Sequence, residues 1–132
     1  QMFEQNKILG IGPKMYRKHS RDERYAVGSS SFNTHPHNTY IQLLAETGST
    51  GFVIFLIFVM TFFYKTIIHF KNLIIGKNHL SDFTICIMAA IFINIWPIIP
   101  TGNFFNNWIS IVYYLPLGFY FSSLCHQEKS NS

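Results

Sequence analysis

Apolar residues are scattered over the first fifty positions and dense thereafter. Residues 47–64 carry no charged side chain and contain GFVIFLIFVMTFFY, and the apolar character resumes past Lys65 with Ile67, Ile68 and Phe70. An α-helix rises 1.5 Å per residue, so roughly 20 residues cross a hydrocarbon core of about 30 Å. The pattern predicts a first transmembrane helix over 50–70, a second over 82–100 (FTICIMAAIFINIWPIIP from Phe83) and a third over 104–125 (FFNNWISIVYYLPLGFYFSSLC). Only Thr101, Gly102 and Asn103 separate the last two, which predicts an antiparallel hairpin with Trp96 and Trp108 at one interface. Pro97 and Pro100 should end the second span, and Pro116 should kink the third.

Ahead of the spans, the pattern is polar and mixed, with turn signals at Gly10-Ile11-Gly12-Pro13 and at Gly28-Ser29-Ser30-Ser31. The run THPHNTYIQLLAETG predicts a short helix. Asn38 or Thr39 can cap it, Gln42 stands three residues after Thr39 as in a capping box, and Gly48 is placed to end it in a left-handed conformation. Ile41, Leu44 and Ala45 share one face, which should lie on the membrane surface or against the spans. The expected fold class is therefore all-α: a polytopic membrane protein with about three transmembrane helices (residues 50–125) after an external loop with a short amphipathic helix (1–49), and a tail at 126–132.

Composition sharpens this. Charged residues make up only 12% of the 132 residues, about half the share usual in a soluble domain. Ten of the sixteen lie before Thr47, and residues 83–127 contain none. The first residue is Gln1 and the signal-peptide pattern is not seen after it, so no signal peptide is expected and the sequence is expected to be the C-terminal piece of a longer polypeptide. Cys86 and Cys125 fall in apolar runs and are expected to be membrane-helix thiols, with no disulfide. The net charge of +4 does not point to nucleic acid, because the aromatic residues do not interleave with the basic ones. Lys65, Lys71, Lys77 and Lys129 flank the spans on one side, whereas residues 30–49 have no Lys or Arg. The positive-inside rule then puts the 65–82 loop and the C-terminus in the cytoplasm and residues 1–49 outside.

Two features carry candidate chemistry. His37 stands at a helix start, where the positive end of the helix dipole favours the neutral imidazole, a ring able to accept a proton. Free backbone N–H groups at the same place would attract a phosphate. The plainer reading is a capping or surface histidine. His35 and His37 could be two metal ligands, but no third ligand stands at recognisable spacing. The second feature is the basic segment Lys14, Arg17, Lys18, Arg21 and Arg24. Gly10 and Gly12 begin a dinucleotide fingerprint that lacks its third glycine, so a tight turn is expected there. Arg17 is suited to grip a diphosphate bidentately, and the other bases equally to meet anionic lipid headgroups.

The succession ILGIGPKMYR, THPHNTYIQLLAETGSTGFVIFL and PTGNFFNNW resembles the bacterial O-antigen ligase and O-antigen polymerase family of multi-spanning membrane proteins, from about Met2 to Phe121. Its most specific part is the His-Asn-x-x-x-Gln-x-x-x-Glu-x-Gly run. The resemblance implies a glycan transferase of the bacterial inner membrane, working at the periplasmic face without metal or nucleotide cofactor. Its donor would be an undecaprenyl-diphosphate-linked glycan, and its acceptor a sugar hydroxyl of lipid A core or, in polymerases, another lipid-linked glycan. Through the resemblance His37 becomes the catalytic residue that activates the acceptor hydroxyl. Arg17 becomes a diphosphate ligand, with His35, Asn38 and Gln42 in support. Family members have many more spans than three, so this chain is expected to hold part of an active site and to be inactive alone. The competing expectation is a non-enzymatic membrane partner or accessory protein in which the HPHN segment merely caps a helix.

Overall fold

The computed structural model describes residues 2–22, 24–25, 35–77 and 80–130, with side chains described as far as Cys125; the turn expected at 28–31 lies outside the described residues. Among these residues there is no strand. Five helices follow in order: α1 (Met2–Gln5), α2 (Tyr16–His19), α3 (Thr39–Ile74), α4 (Asp82–Ile95) and α5 (Asn107–Ser130). The protein is an all-helical membrane protein. Two of its helices, α3 and α5, are long and apolar enough to cross a bilayer, and α4 is a shorter apolar helix.

The core lies where the three long helices meet. Val59 and Phe62 of α3, Ile87, Met88, Ile91 and Ile95 of α4, and Tyr120 of α5 are buried together. Edge-to-face ring pairs, Phe62 with Tyr120 and Phe63 with Phe92, tie α3 to its neighbours. The opposite faces stay apolar and exposed, with Val53, Ile54, Ile57, Met60 and Ile67 on α3 and Ile111, Val112, Leu115 and Phe119 on α5. Such all-round hydrophobicity is what hydrocarbon surroundings require of a spanning helix. Cys86 and Cys125 are free thiols, both exposed on their helices.

Two of the helix ends differ from the sequence expectation, each for a local reason. The expected short helix does end at Gly48, which has positive φ and is non-helical (φ 64°, ψ −165°), and α3 comprises this helix and the first span joined at that kink. The second span is helical for 14 residues, about 21 Å, and stops at Ile95. Trp96 is extended (φ −68°, ψ 125°), as the ring of a following proline demands. The third helix begins at Asn107, because the Asn106 side chain caps it by accepting from Trp108 N–H at 3.1 Å. The hairpin connection consequently runs from residue 96 to 106 and is long enough to form part of a site. Pro116 lies inside α5, which runs through it. At its far end α3 closes on Gly76 (φ 72°), with Gly76 N–H and Lys77 N–H donating to Leu73 and Asn72 carbonyls in a Schellman arrangement.

Candidate active site

The interruption at Gly48 shapes everything around it. In an unbroken helix Ser49 N–H would bond the Ala45 carbonyl and Thr50 N–H the Glu46 carbonyl. Here a separate strand of chain, residues 7–12, inserts into the gap and satisfies both sides. Ile11 N–H and Gly12 N–H donate to the carbonyls of Ala45 (3.0 Å) and Glu46 (2.9 Å), while Ser49 N–H and Thr50 N–H donate to those of Lys7 (2.7 Å) and Ile8 (3.2 Å). Four backbone groups of α3 that would be orphaned by the break thus keep their partners. The approach is so close that a Cβ on Gly10 would sit 2.5 Å from Glu46 C and Gly48 N, and one on Gly48 would collide with the Ile8 carbonyl. The two glycines are needed because backbone meets backbone.

This clasp delivers α2 and its Arg17 to the side of α3. Tyr16 N–H, the first amide of α2, donates to Glu46 Oε1 at 2.8 Å. Glu46 is fully buried, and its other oxygen accepts from Gln42 Nε2 at 3.0 Å. Gln42, 1% exposed, also donates to Asn103 Oδ1 (2.8 Å) and accepts from Phe104 N–H (2.9 Å). Burial, and then the Glu46 charge, raise the Tyr16 phenol above its ordinary pKa. The buried face of this part of α3 is therefore Thr39, Gln42, Leu43 and Glu46, at i, i+3, i+4 and i+7. The face expected from Ile41, Leu44 and Ala45 is not the one that packs: Ile41 is 58% exposed, and of the three only Ala45 is buried. The capping box is absent too, because Gln42 is turned to the 103–104 loop and Asn38 alone caps α3.

Asn38 does this by accepting from Tyr40 N–H (3.0 Å) and Ile41 N–H (3.1 Å), and its Nδ2 donates to the Pro97 carbonyl at 2.7 Å. The amides expected to cradle an anion at this helix start are thereby occupied. His37, just before the cap, has positive φ (51°) and is exposed, and its carbonyl accepts from Thr101 N–H at 2.9 Å. A second tie joins the hydroxyls of Thr39 and Thr101 at 2.8 Å. The His35 ring lies 4.2 Å from that of His37. Partial burial and then the neighbouring His37 lower the His35 pKa, so that its neutral form prevails at neutral pH. Asn38→Ala is expected to destabilise the protein by about 0.5–2 kcal/mol, the usual cost of a lost N-cap, and to loosen the 97–101 loop; a thermal melt in detergent measures the first and hydrogen exchange of Thr101 the second.

Arg17 lines an open cleft of about 360 Å³ with Lys14, Asn103, Asn106, Asn107 and Trp108. It also lines a second, adjoining cleft with Lys14, Lys18 and Arg21. Lys14 holds a left-handed backbone (φ 64°) and its Nζ reaches Asn107 Oδ1 at 3.5 Å. Arg24 lies outside both clefts and is paired with Asp22, whose carboxyl its hydrogen bonds pull down to about 2. The cationic surface is thus built by four of the five basic residues singled out in the sequence.

Residues 1–56 match the family described as O-antigen ligase. The match covers 56 of the 132 residues and supports the resemblance to that family. No curated protein and no solved structure matches the chain. The matched segment contains the clasp, Arg17, the histidines, Gln42, Glu46 and Gly48, and it ends within α3, short of the stretch to Phe121 over which the sequence resembles the family. Within this segment the structure links the sequence candidates unevenly. His37 and Asn38 are bonded to the 97–101 part of the connection, and Gln42 to its 103–104 part. Arg17 meets the same connection at Asn103 and at the start of α5. His37 and Arg17 thus meet one connection, His37 at Thr101 and Arg17 at Asn103. Glu46 belongs to the His-Asn-x-x-x-Gln-x-x-x-Glu-x-Gly run, though the sequence alone attaches no role to it. Its signal was a carboxylate four residues after Gln42 in an otherwise apolar run.

Proposed function

We propose that this protein acts as an O-antigen ligase, transferring a glycan from an undecaprenyl-diphosphate carrier to a sugar hydroxyl, that of lipid A core, at the periplasmic face of the bacterial inner membrane. In this reading residues 1–49 form the external part of the site, α3, α4 and α5 are its membrane anchor, and the C-terminus is cytoplasmic. The observation that carries the reading is one network. It holds the His37 turn, the Gln42–Glu46 pair and the cationic Lys14–Arg17 cleft around a single connecting loop. His37 takes the proton of the acceptor hydroxyl as its oxygen attacks the anomeric carbon of the donor. The bond from that carbon to the diphosphate oxygen breaks, and the diphosphate leaves with the electron pair, its negative charge met by Arg17 and Lys14. Asn38 and Gln42 position the histidine turn and the loop, and His35 packs beside the base.

Extension of a lipid-linked glycan, as in the polymerases, would use the same donor chemistry with a different acceptor; the ligase description of the matched family favours lipid A core. In a strain lacking both activities, the full-length protein that carries this sequence is expected to attach glycan to lipid A core; lengthened lipid-linked chains would mark a polymerase, and neither product would mark an accessory protein. Arg17→Ala is expected to weaken donor binding by about 10- to 100-fold, the loss of a charge-assisted contact worth roughly 1.5–3 kcal/mol, as read by titration of the donor into nanodiscs.

A further inference from the structure

The Arg17 cleft has two unlike walls. Lys14 and Arg17 form a cationic one. The rest of the lining, Asn103, Phe105, Asn106, Asn107 and Trp108, is neutral and offers carboxamides, a phenyl ring and an indole. A phosphate needs only the first wall. Neutral amides beside an aromatic face are suited to a different ligand surface, the hydroxyls and the C–H face of a sugar ring. The residues are set up for this. Asn106 Oδ1 accepts from Trp108 N–H, and Asn103 Oδ1 accepts from Gln42 and from Phe105 N–H (3.0 Å), which leaves the amide nitrogens of both as donors for a ligand. The Trp108 side chain stands at the cleft with 82% of its surface exposed, so an indole face is open to contact. Lys14 Nζ and Asn107 Oδ1 approach to 3.5 Å, so the cationic and the neutral parts of the lining meet there. The volume, about 360 Å³, lies in the range of small-molecule sites.

We propose that the Asn106–Trp108 wall is a saccharide subsite that holds the sugar ring attached to the donor diphosphate, and so recognises the glycan rather than its carrier. The proposal rests on the reading of Arg17 and Lys14 as the diphosphate site. Tryptophan at the start of a spanning helix also serves as an interfacial anchor, and an anchor would not distinguish ligands that share a lipid.

The test uses the protein in nanodiscs and two probes: bare undecaprenyl diphosphate, and the lipid-linked glycan extracted from membranes of the producing cells. Trp108→Ala is expected to weaken binding of the glycan-bearing probe by about tenfold and of the bare diphosphate by less than about twofold, with Trp108→Phe recovering most of the loss. Equal loss for both probes, or no loss for either, overturns the subsite. Arg17→Ala should weaken both probes alike. If it weakens neither while Trp108→Ala remains selective for the glycan, the diphosphate reading fails and the saccharide contact stands.

Discussion

Replacing His37 with alanine is expected to lower glycan transfer by about 10²- to 10⁴-fold, the range that a positioned general base contributes. The local backbone dictates a second variant. His37 has φ of 51°, a region that alanine enters only at a cost of about 1–2 kcal/mol. Loss of activity in His37→Ala therefore mixes lost chemistry with a strained turn. Asparagine is among the residues that enter the left-handed region most readily, yet its carboxamide takes no proton near neutral pH. His37→Asn should keep the turn, the bond from Thr101 N–H to the residue 37 carbonyl and normal membrane expression, and lose transfer to the same extent as His37→Ala. Transfer assays on both variants at matched expression separate the two contributions. Near-normal transfer in His37→Asn would remove His37 from the chemistry and leave it as a turn residue.

The second large effect belongs to Gly48. Its φ and ψ (64°, −165°) lie in a region that is essentially reserved for glycine, and residues with side chains held in such regions are strained by about 1–3 kcal/mol. The added methyl of Gly48→Ala would also run into the Ile8 carbonyl and the Gly10 amide. The clasp then has to open, exposing the Ala45 and Glu46 carbonyls and releasing α2 from Glu46. Expected results are rapid proteolysis within residues 7–18, loss of donor binding, and retention of α3, α4 and α5 by circular dichroism. Gly76→Ala is the control. Gly76 also has positive φ (72°), but nothing lies within 4 Å of its would-be methyl, so only the intrinsic left-handed cost of about 1–2 kcal/mol remains and donor binding should be unchanged. If Gly48→Ala behaves like Gly76→Ala, the close contact of the two backbones is not what holds the site.

Much of this architecture is legible in the residues. The uncharged runs mark α3 and α5 as membrane helices, Asn38 is one of two caps expected for the first of them, and Gly48 is expected to interrupt the pattern. Other features depend on contacts far along the chain. The buried face of α3 is polar, carrying Gln42 and Glu46, because residues 7–16 and the 101–105 loop pack against it; apolar periodicity points to Ile41 instead. The amides of Tyr40 and Ile41 look available from sequence alone, and only the rotamer of Asn38 removes them. Where the hairpin helices end was mostly a matter of local chemistry overshadowed by hydropathy. Trp96 precedes a proline, and Asn106 precedes a tryptophan at the start of a helix; both are boundary signals within apolar stretches.

The central claim is that one loop joins two functions, a diphosphate grip at Arg17 and a proton acceptor at His37. Measuring donor binding and transfer in parallel on Arg17→Ala and His37→Asn tests it most directly. The account predicts that Arg17→Ala loses binding, and transfer with it at limiting donor, while His37→Asn binds donor as the parent protein does and transfers about 10²- to 10⁴-fold more slowly. It would be contradicted by a His37→Asn protein that transfers at the parent rate, or by an Arg17→Ala protein whose donor affinity is unchanged.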